Sequence, residues 1–368
     1  MNGSSVAAQD ERLKKAPFVT RLMRRPELGA FAGLILIVIF FSFAANEAMF
    51  SLAGIMNFMS PAAQLGILAI GAALLMIGGE FDLSVGSMVA FAGLVFGAAL
   101  TVGNLSPVAA IALTLVAAAV FGVVNGQIVL RTGLPSFIVT LAFLFILRGI
   151  TLVGLKWATG GSTQLRGVKE LIEGDPIAGL FHGVAFSGFF SWMARQGWTE
   201  TFQNGQPRVT GVPVEVLWFI AVAAIATWVL LRTRTGNWIF ASGGDANAAR
   251  NSGVPVNRVK TGLFVTTACC AALVAILTVM DAGSTDARRG FQKEFEAIIA
   301  AVIGGCLLTG GYGSAIGAFF GATIFGMVAI GLTYTTIDQD WYLVFLGMML
   351  LAAVLFNNVI RRRVTGER

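Results

Sequence analysis

Residues 83–130 read LSVGSMVAFAGLVFGAALTVGNLSPVAAIALTLVAAAVFGVVNGQIVL, a run of 48 residues without a charged side chain. As one continuous helix this run would measure about 72 Å, at about 1.5 Å per residue. The hydrocarbon core of a bilayer is only about 30 Å thick. The run therefore predicts two membrane crossings, and the sequence GNLSP at 103–107 has the turn-forming residues that a hairpin between them requires.

The composition of the whole chain agrees with a membrane protein. The 368 residues are 56% hydrophobic and 12% charged, and the mean hydropathy is +0.80. Soluble domains carry about 25% charged residues, so a water-facing surface is excluded. Long blocks of varied apolar residues also exclude a disordered chain. The net charge of +6 is interpreted as a topology signal and not as a sign of a nucleic-acid partner.

We predict an all-α integral membrane protein with about ten transmembrane helices. Two runs besides 83–130 are too long for one crossing. Residues 48–79 are divided at Ser60-Pro61 into an interfacial lead-in and a span, and residues 297–337 are divided at Gly310-Gly311. The predicted spans are 28–46, 61–79, the two halves of 83–130, 134–154, 212–231, 261–280, the two halves of 297–337, and 341–360.

The distribution of lysine and arginine predicts the orientation. With ten spans, 16 of these residues lie on the side of both tails and eight on the opposite side, which places both termini in the cytoplasm. The predicted regions are a cytoplasmic tail (1–27), a transmembrane region (28–360) containing a periplasmic segment (155–211) and a cytoplasmic loop (232–260), and a second tail (361–368). The polar and basic N-terminus predicts no cleavable signal.

The sequence predicts no catalytic centre and no metal site. His182 is the only histidine, and the cysteines Cys269, Cys270 and Cys306 lie in apolar runs, where they are interpreted as small buried hydrophobic residues. No P-loop, no His-Glu-x-x-His and no Gly-x-Ser-x-Gly motif occurs. We therefore expect no cofactor on this chain, and energy for any work has to come from another polypeptide.

Residues 242–255, SGGDANAARNSGVP, form the most suggestive polar stretch. Asp245 is suited to cap a helix over 246–251, and Gly253 with Pro255 predicts its end. A short capped helix between two spans is suited to contact a cytoplasmic partner. It is equally typical of an ordinary connecting loop, and local pattern alone leaves both interpretations open.

A second polar stretch, GGEFDLSVGS at 78–87, follows the predicted second span. Asp82 is expected to cap the next helix, or else Glu80 and Asp82 line a polar path. Arg148 is placed near the outer interface, where its side chain is expected to snorkel. The similarity between Gly78-Gly79 and Gly310-Gly311 is interpreted as chance in a glycine-rich chain.

Four segments resemble one known family. They are GEFDLSVGS at 79–87, GLPSFIVTL at 133–141 followed by Arg148-Gly149, GGDANAARNSG at 243–253, and FEAIIAAVIGG at 295–305 followed by GGYG at 310–313. In this order they resemble the membrane permease subunit of bacterial ATP-binding-cassette (ABC) importers for monosaccharides, of the ribose, xylose and galactose type. Glu296 departs from the aspartate that is common in the family, and an insertion lies around 181–207.

The resemblance implies a function and a set of partners. It implies a permease of the bacterial inner membrane that imports a monosaccharide or similar polyol by alternating access, as one of two permease subunits in a homodimer. A cytoplasmic ABC ATPase that binds ATP and Mg²⁺ and a periplasmic sugar-binding protein are the other expected partners, besides membrane lipid. The implied coupling residues are Gly243, Gly244, Asp245, Asn247, Ala248, Ala249, Arg250, Ser252 and Gly253.

Polar residues on or near the spans are candidates for the substrate pathway, because sugar hydroxyls require hydrogen-bonding partners. Each is also typical of a contact between helices. The candidates are Asn57, Gln64, Glu80, Asp82, Asn125, Phe137 and Thr140. An ion-coupled secondary transporter of a small polar solute is the alternative function, although the sequence shows no clear relay of carboxylates or histidines.

Overall fold

The computed structural model describes residues 26–203 and 205–365, so residues 1–25 and 366–368 of the predicted tails lie outside the described residues. Within this part of the chain we number fourteen α-helices. They are α1 (Pro26–Ala44), α2 (Leu52–Ile77), α3 (Val85–Thr101), α4 (Pro107–Thr132), α5 (Ser136–Thr159), α6 (Val168–Ile172), α7 (Ser187–Arg195), α8 (Val214–Arg232), α9 (Arg234–Gly244), α10 (Ala246–Asn251), α11 (Val256–Ala282), α12 (Lys293–Ile303), α13 (Ala315–Gly331) and α14 (Trp341–Thr365).

Two short antiparallel strand pairs lie at one end of the helices. Strand β1 (Gln164–Arg166) pairs with β4 (Ser284–Asp286), and β2 (Val184–Ala185) pairs with β3 (Val212–Pro213). We call this the hairpin end, and we call the opposite end, where α10 lies, the α10 end. Short 3₁₀ turns at Glu47–Phe50, Ala178–Leu180 and Leu332–Tyr334 complete the described elements.

Seven of the helices are long and apolar enough to cross a membrane, namely α1, α2, α4, α5, α8, α11 and α13. Several carry large apolar side chains on the outside of the molecule, for example Phe43 (88% exposed), Val116 (60%) and Phe145 (67%). Lipid is the environment in which such surfaces are stable. The prediction of an all-α integral membrane protein is confirmed.

Helices α2 and α11 form the centre of the fold. Helix α2 contacts α8, α11, α12 and α13, while α11 contacts α2, α3 and α4. Helices α4 and α11 approach closely because α4 presents glycine. A Cβ atom on Gly122 would lie 2.7 Å from the Cα atom of Val265, and one on Gly126 would lie 3.1 Å from that of Thr261. Small residues of this kind allow helices to pack at short distance in a membrane.

The predicted break at Ser60-Pro61 is wrong. Helix α2 continues from Leu52 to Ile77 with Pro61 inside it. Proline removes one backbone donor, but a membrane helix tolerates it because neighbouring groups satisfy the freed carbonyl. The predicted lead-in and second span are therefore one helix of 26 residues.

The first half of residues 297–337 does not form the full membrane span that was predicted there. Helix α12 has 11 residues and is about 16 Å long, roughly half of a crossing. Its end repeats the end of α2. Gly79 and Gly305 both have a left-handed backbone, with φ of +82° and +88°, and each directly follows a glycine that ends a helix. At the end of a helix, the structural counterpart of Gly78-Gly79 is therefore Gly304-Gly305, and not Gly310-Gly311.

The chain between β4 and α12 runs beside α3 without forming a helix. Thr285 lies against Gly93 of α3, and Gly290 lies against Gly86, two turns nearer the start of that helix. Arg148, in the middle of α5, donates from Nη1 to the carbonyl oxygens of Ala287 and Arg289, both at 3.0 Å. The snorkelling interpretation of Arg148 is therefore wrong, because its guanidinium satisfies irregular backbone inside the fold.

Replacing Arg148 with methionine is expected to destabilise the protein. Two carbonyl groups lose a charged donor at membrane depth, which costs about 3 kcal/mol. Thermal unfolding followed by tryptophan fluorescence in detergent should give a lower Tm for Arg148→Met. Arg131→Met is the control, because Arg131 is exposed at the end of α4. Equal Tm values for the two variants would contradict this role of Arg148.

Candidate coupling and translocation sites

The predicted helix at 246–251 is present as α10. The Asp245 carboxylate accepts hydrogen bonds from the backbone N–H groups of Asn247 and Ala248, at 2.9 and 3.0 Å. Arg250 donates to the side-chain oxygen of Asn247 at 3.0 Å. Gly253 has φ of +84°, and the next helix begins after Pro255. Local chemistry therefore produces the predicted helix with the predicted ends.

Most of the implied coupling residues form an exposed surface. Ala249 is the exception, because it is only 4% exposed and faces the body of the protein. A partner that docks on α10 therefore cannot contact Ala249, whose part is to anchor the helix. The exposed members are Gly244, Asp245, Asn247, Ala248, Arg250, Ser252 and Gly253, and we call them the α10 surface.

Gly243, directly before this surface, is packed into the core by backbone contacts. A Cβ atom on Gly243 would collide with the carbonyl oxygen of Ile77 and lie 2.7 Å from the backbone nitrogen of Gly311. Gly311 donates its N–H to the same Ile77 carbonyl at 2.9 Å. Gly310 lies against Gly79 and Gly243. We call Gly79, Gly243, Gly310 and Gly311 the glycine joint. It connects the end of α9, directly before α10, to the end of α2 and to the loop before α13.

Glu80 follows the glycine joint and forms an ion pair with α11. Its carboxylate accepts from the Lys260 ammonium group at 2.6 Å, and the two side chains are 13% and 10% exposed. Glu80 therefore connects the end of α2 to the helix that follows the α10 surface. Lys260 was not singled out from the sequence, where the available signal was a cation immediately before the predicted seventh span.

Three of the pathway candidates belong to a buried network at the start of α3. Asp82 accepts from the backbone N–H of Ser84 at 2.8 Å, and Asn125 donates to the Ser84 hydroxyl at 3.2 Å. The Thr140 hydroxyl accepts from the backbone N–H of Leu83 at 3.0 Å. Asp82, Asn125 and Thr140 are each 5% exposed or less. In this conformation they satisfy the backbone that leads into α3. Asp82 does not cap α3 as expected, because the N-cap is Ser84, and among the described residues Asp82 accepts only from the backbone N–H and hydroxyl of that residue.

The remaining pathway candidates do not form one group. Asn57 is exposed on α2 and donates to the Tyr334 hydroxyl at 3.1 Å. Gln64 lies two turns deeper and donates to the Glu215 carboxylate of α8 at 2.8 Å. Phe137 is 50% exposed on α5. Glu215 was missed from the sequence, although a carboxylate at the start of a predicted span was a signal for it.

Comparison with known proteins identifies the family. The family described as "Branched-chain amino acid transport system / permease component" matches residues 54–354. The chain belongs to this permease family. It is 32% identical to the ribose import permease protein of Escherichia coli K12, over 93% of this chain and 96% of that protein.

Two further relatives agree with this family. The xylose transport system permease protein of E. coli K12 is 31% identical over 90% of this chain and 91% of its own length. The ribose import permease protein of Bacillus subtilis 168 is 30% identical over 90% and 92%. No solved structure matches the chain. The family expected from the sequence motifs is thus confirmed, and with it a multi-pass transport component of the bacterial inner membrane.

Substitution of Gly243 tests the glycine joint. Alanine there has to displace the Ile77 carbonyl or the 311 backbone, an overpacking that costs about 1–3 kcal/mol. A lower Tm is therefore expected for Gly243→Ala. Gly244→Ala is the matched control, because a Cβ atom at Gly244 meets nothing within 4 Å. If the neighbouring variants melt at the same temperature, the close packing at Gly243 is refuted.

Proposed function

We propose that this chain is the membrane permease subunit of an ABC importer for a monosaccharide or similar polyol. The observation that carries the proposal is the α10 surface, which is exposed and is joined to the core through Gly243. Relatives that cover more than nine-tenths of the chain are a ribose import permease and a xylose transport permease. Their names support a sugar as the substrate, ahead of the amino acids in the family description.

The expected partners follow from this role. The chain carries no cofactor of its own, and ATP with Mg²⁺ binds to a cytoplasmic ATPase that docks on the α10 surface. A periplasmic sugar-binding protein delivers the substrate at the hairpin end, where the segment 155–211 lies. Two copies of the permease form the pathway between these partners. The α10 end is then cytoplasmic, in agreement with the distribution of positive charge.

The glycine joint supports a route by which the ATPase acts on the pathway. Nucleotide binding shifts the permease only if the ATPase binds one of its conformations more tightly. A displacement of α10 reaches Ile77 and Gly311 through backbone contacts that have no flexible side chain between them. The ion pair of Glu80 with Lys260 couples the same helix end to α11. Movement of α10 is thereby transmitted to α2, α11 and the loop before α13 together.

An ion-coupled secondary transporter is the alternative, and carboxylates at membrane depth are the feature that would favour it. Glu80 is paired with Lys260, and Asp82 is hydrogen-bonded to Ser84. Glu80 and Asp82 are therefore poor candidates for an ion relay, and the ribose and xylose permeases among the relatives support an importer. The importer is the better-supported function.

Charge reversal on the α10 surface tests the proposed coupling. Ala248→Glu combined with Arg250→Glu adds carboxylates to two exposed positions of α10. A tagged permease carrying both changes should retain less than about one-tenth of the ATPase that co-purifies with the parent, since like-charge and steric conflict at a docking surface costs more than 1.4 kcal/mol.

Arg195→Glu provides the control, because Arg195 is exposed in the last turn of a short helix at the hairpin end. It should capture the ATPase normally. Equal capture by the double variant and the control would exclude α10 as the docking helix. Failure of the parent chain to capture any P-loop ATPase in its native host would exclude the importer.

A further inference from the structure

A polar cluster lies where α2 and α8 face each other. The Glu215 carboxylate accepts hydrogen bonds from the Gln64 amide, at 2.8 Å, and from the Ser60 hydroxyl. Ser60 and Gln64 are one turn apart and therefore share a face of α2. Both partners are neutral, so these hydrogen bonds hold the carboxylate without neutralising its charge. We call Ser60, Gln64 and Glu215 the α2–α8 cluster.

The cluster lies in the half of α2 and of α8 that is nearer the hairpin end. Ser60 and Gln64 lie about 12 and 18 Å along α2 from its first residue. Glu215 is the second residue of α8, close to the hairpin end, and it is partly exposed. The contact between the helices has its own apolar anchor, because the Phe219 ring occupies the notch left by Gly66. The polar cluster is therefore not needed to hold the two helices together, and the exposed part of Glu215 marks an opening near the hairpin end.

Aromatic rings close this opening on the side of the α10 end. Phe219, one turn further along α8 than Glu215, is fully buried and stacks on Phe319 of α13, with ring centroids 4.3 Å apart. Asn57, two turns nearer the hairpin end than Gln64, is exposed. A polar stripe thus leads from the hairpin end to a closed apolar floor. This arrangement is suited to a substrate that enters from the hairpin end and is held there while the stacked rings of Phe219 and Phe319 block further passage.

We propose that the α2–α8 cluster binds adjacent hydroxyl groups of the transported monosaccharide or polyol, which deepens the proposed function and rests on it. Each carboxylate oxygen of Glu215 accepts an O–H donor, and the Gln64 amide and Ser60 hydroxyl bind a neighbouring hydroxyl. A carboxylate at the site selects a neutral polyol over an anionic sugar such as a sugar phosphate.

Substrate protection of a nearby thiol tests the site directly. In a chain whose three cysteines are replaced by alanine, Asn57→Cys places a reporter at the mouth of the stripe. The full chain in proteoliposomes is labelled with a membrane-impermeant maleimide in the presence of D-ribose, D-xylose, D-ribose 5-phosphate or L-leucine. We expect D-ribose or D-xylose to slow the labelling, and the phosphate and the amino acid to leave it unchanged.

Two variants test whether this protection by sugar depends on the α2–α8 cluster. Glu215→Gln keeps the shape of the side chain and should raise the half-protecting sugar concentration at least tenfold, while Gln64→Leu should raise it severalfold. Glu47→Gln, at an exposed carboxylate near the same end, should leave it unchanged. If Glu215→Gln elutes as an aggregate, Gln64→Leu decides the result in its place.

The proposal is overturned if neither sugar protects the reporter, if the variants protect like the parent, or if only L-leucine protects. Addition of the ATPase, ATP and binding protein to the same vesicles tests the proposed function separately. Absence of ATP-driven uptake with intact sugar protection would refute the importer and leave the site standing. Normal uptake together with unaltered protection in Glu215→Gln would refute the site alone.

Discussion

The fold depends on a constraint that applies to every backbone polar group at membrane depth, which has to find its partner within the protein. The chain leaves regular helix in the segments 78–84, 285–292 and 304–314. Side chains of α5 form hydrogen bonds with the backbone of the first two segments. The Ser136 and Thr140 hydroxyls accept from N–H groups of 78–84, and the Arg148 guanidinium donates to a carbonyl of 285–292. The third is held by Ile77, whose carbonyl accepts from Gly311. Irregular backbone is therefore placed where another element covers it, and these places are where function is expected.

The loops that follow α2 and α12 meet at Gly243. Gly79 and Gly305 give α2 and α12 the same left-handed termination, and the loops that follow lead into α3 and α13. The first loop begins at Gly79 and the second includes Gly310 and Gly311, which pack together on Gly243. Gly243, at the end of α9 and directly before α10, thus contacts both loops. A partner that moves α10, as proposed above, displaces both loops together.

The parts of the fold that follow from local chemistry were predictable. Uncharged runs gave the membrane helices, and Asp245, Gly253 and Pro255 gave the bounds of α10 because caps act within a few residues. Contacts between distant segments were not predictable. Arg148 bonds to Ala287 and Arg289, about 140 positions away, and composition cannot show that it does so. The short length of α12 was missed because the glycine-rich loop after it carries no charged residue that would mark the end of a span.

The site was predictable to a similar extent. Gln64 was identified as a polar residue on a span, but its partner Glu215 lies 151 positions away and was not found. Asp82, Asn125 and Thr140 were grouped correctly as polar residues near spans, yet burial shows that they support α3. The residue types predict hydrogen bonds, whereas the fold decides whether those bonds go to backbone or to an open space.

Sugar uptake into proteoliposomes with controlled energy sources tests the central claim most directly. With the ATPase, the binding protein and internal ATP present, the account predicts uptake of labelled ribose or xylose that stops when ATP is withdrawn. The permease alone should accumulate neither sugar under a proton or sodium gradient. Accumulation driven by either gradient in the absence of the ATPase would contradict the account.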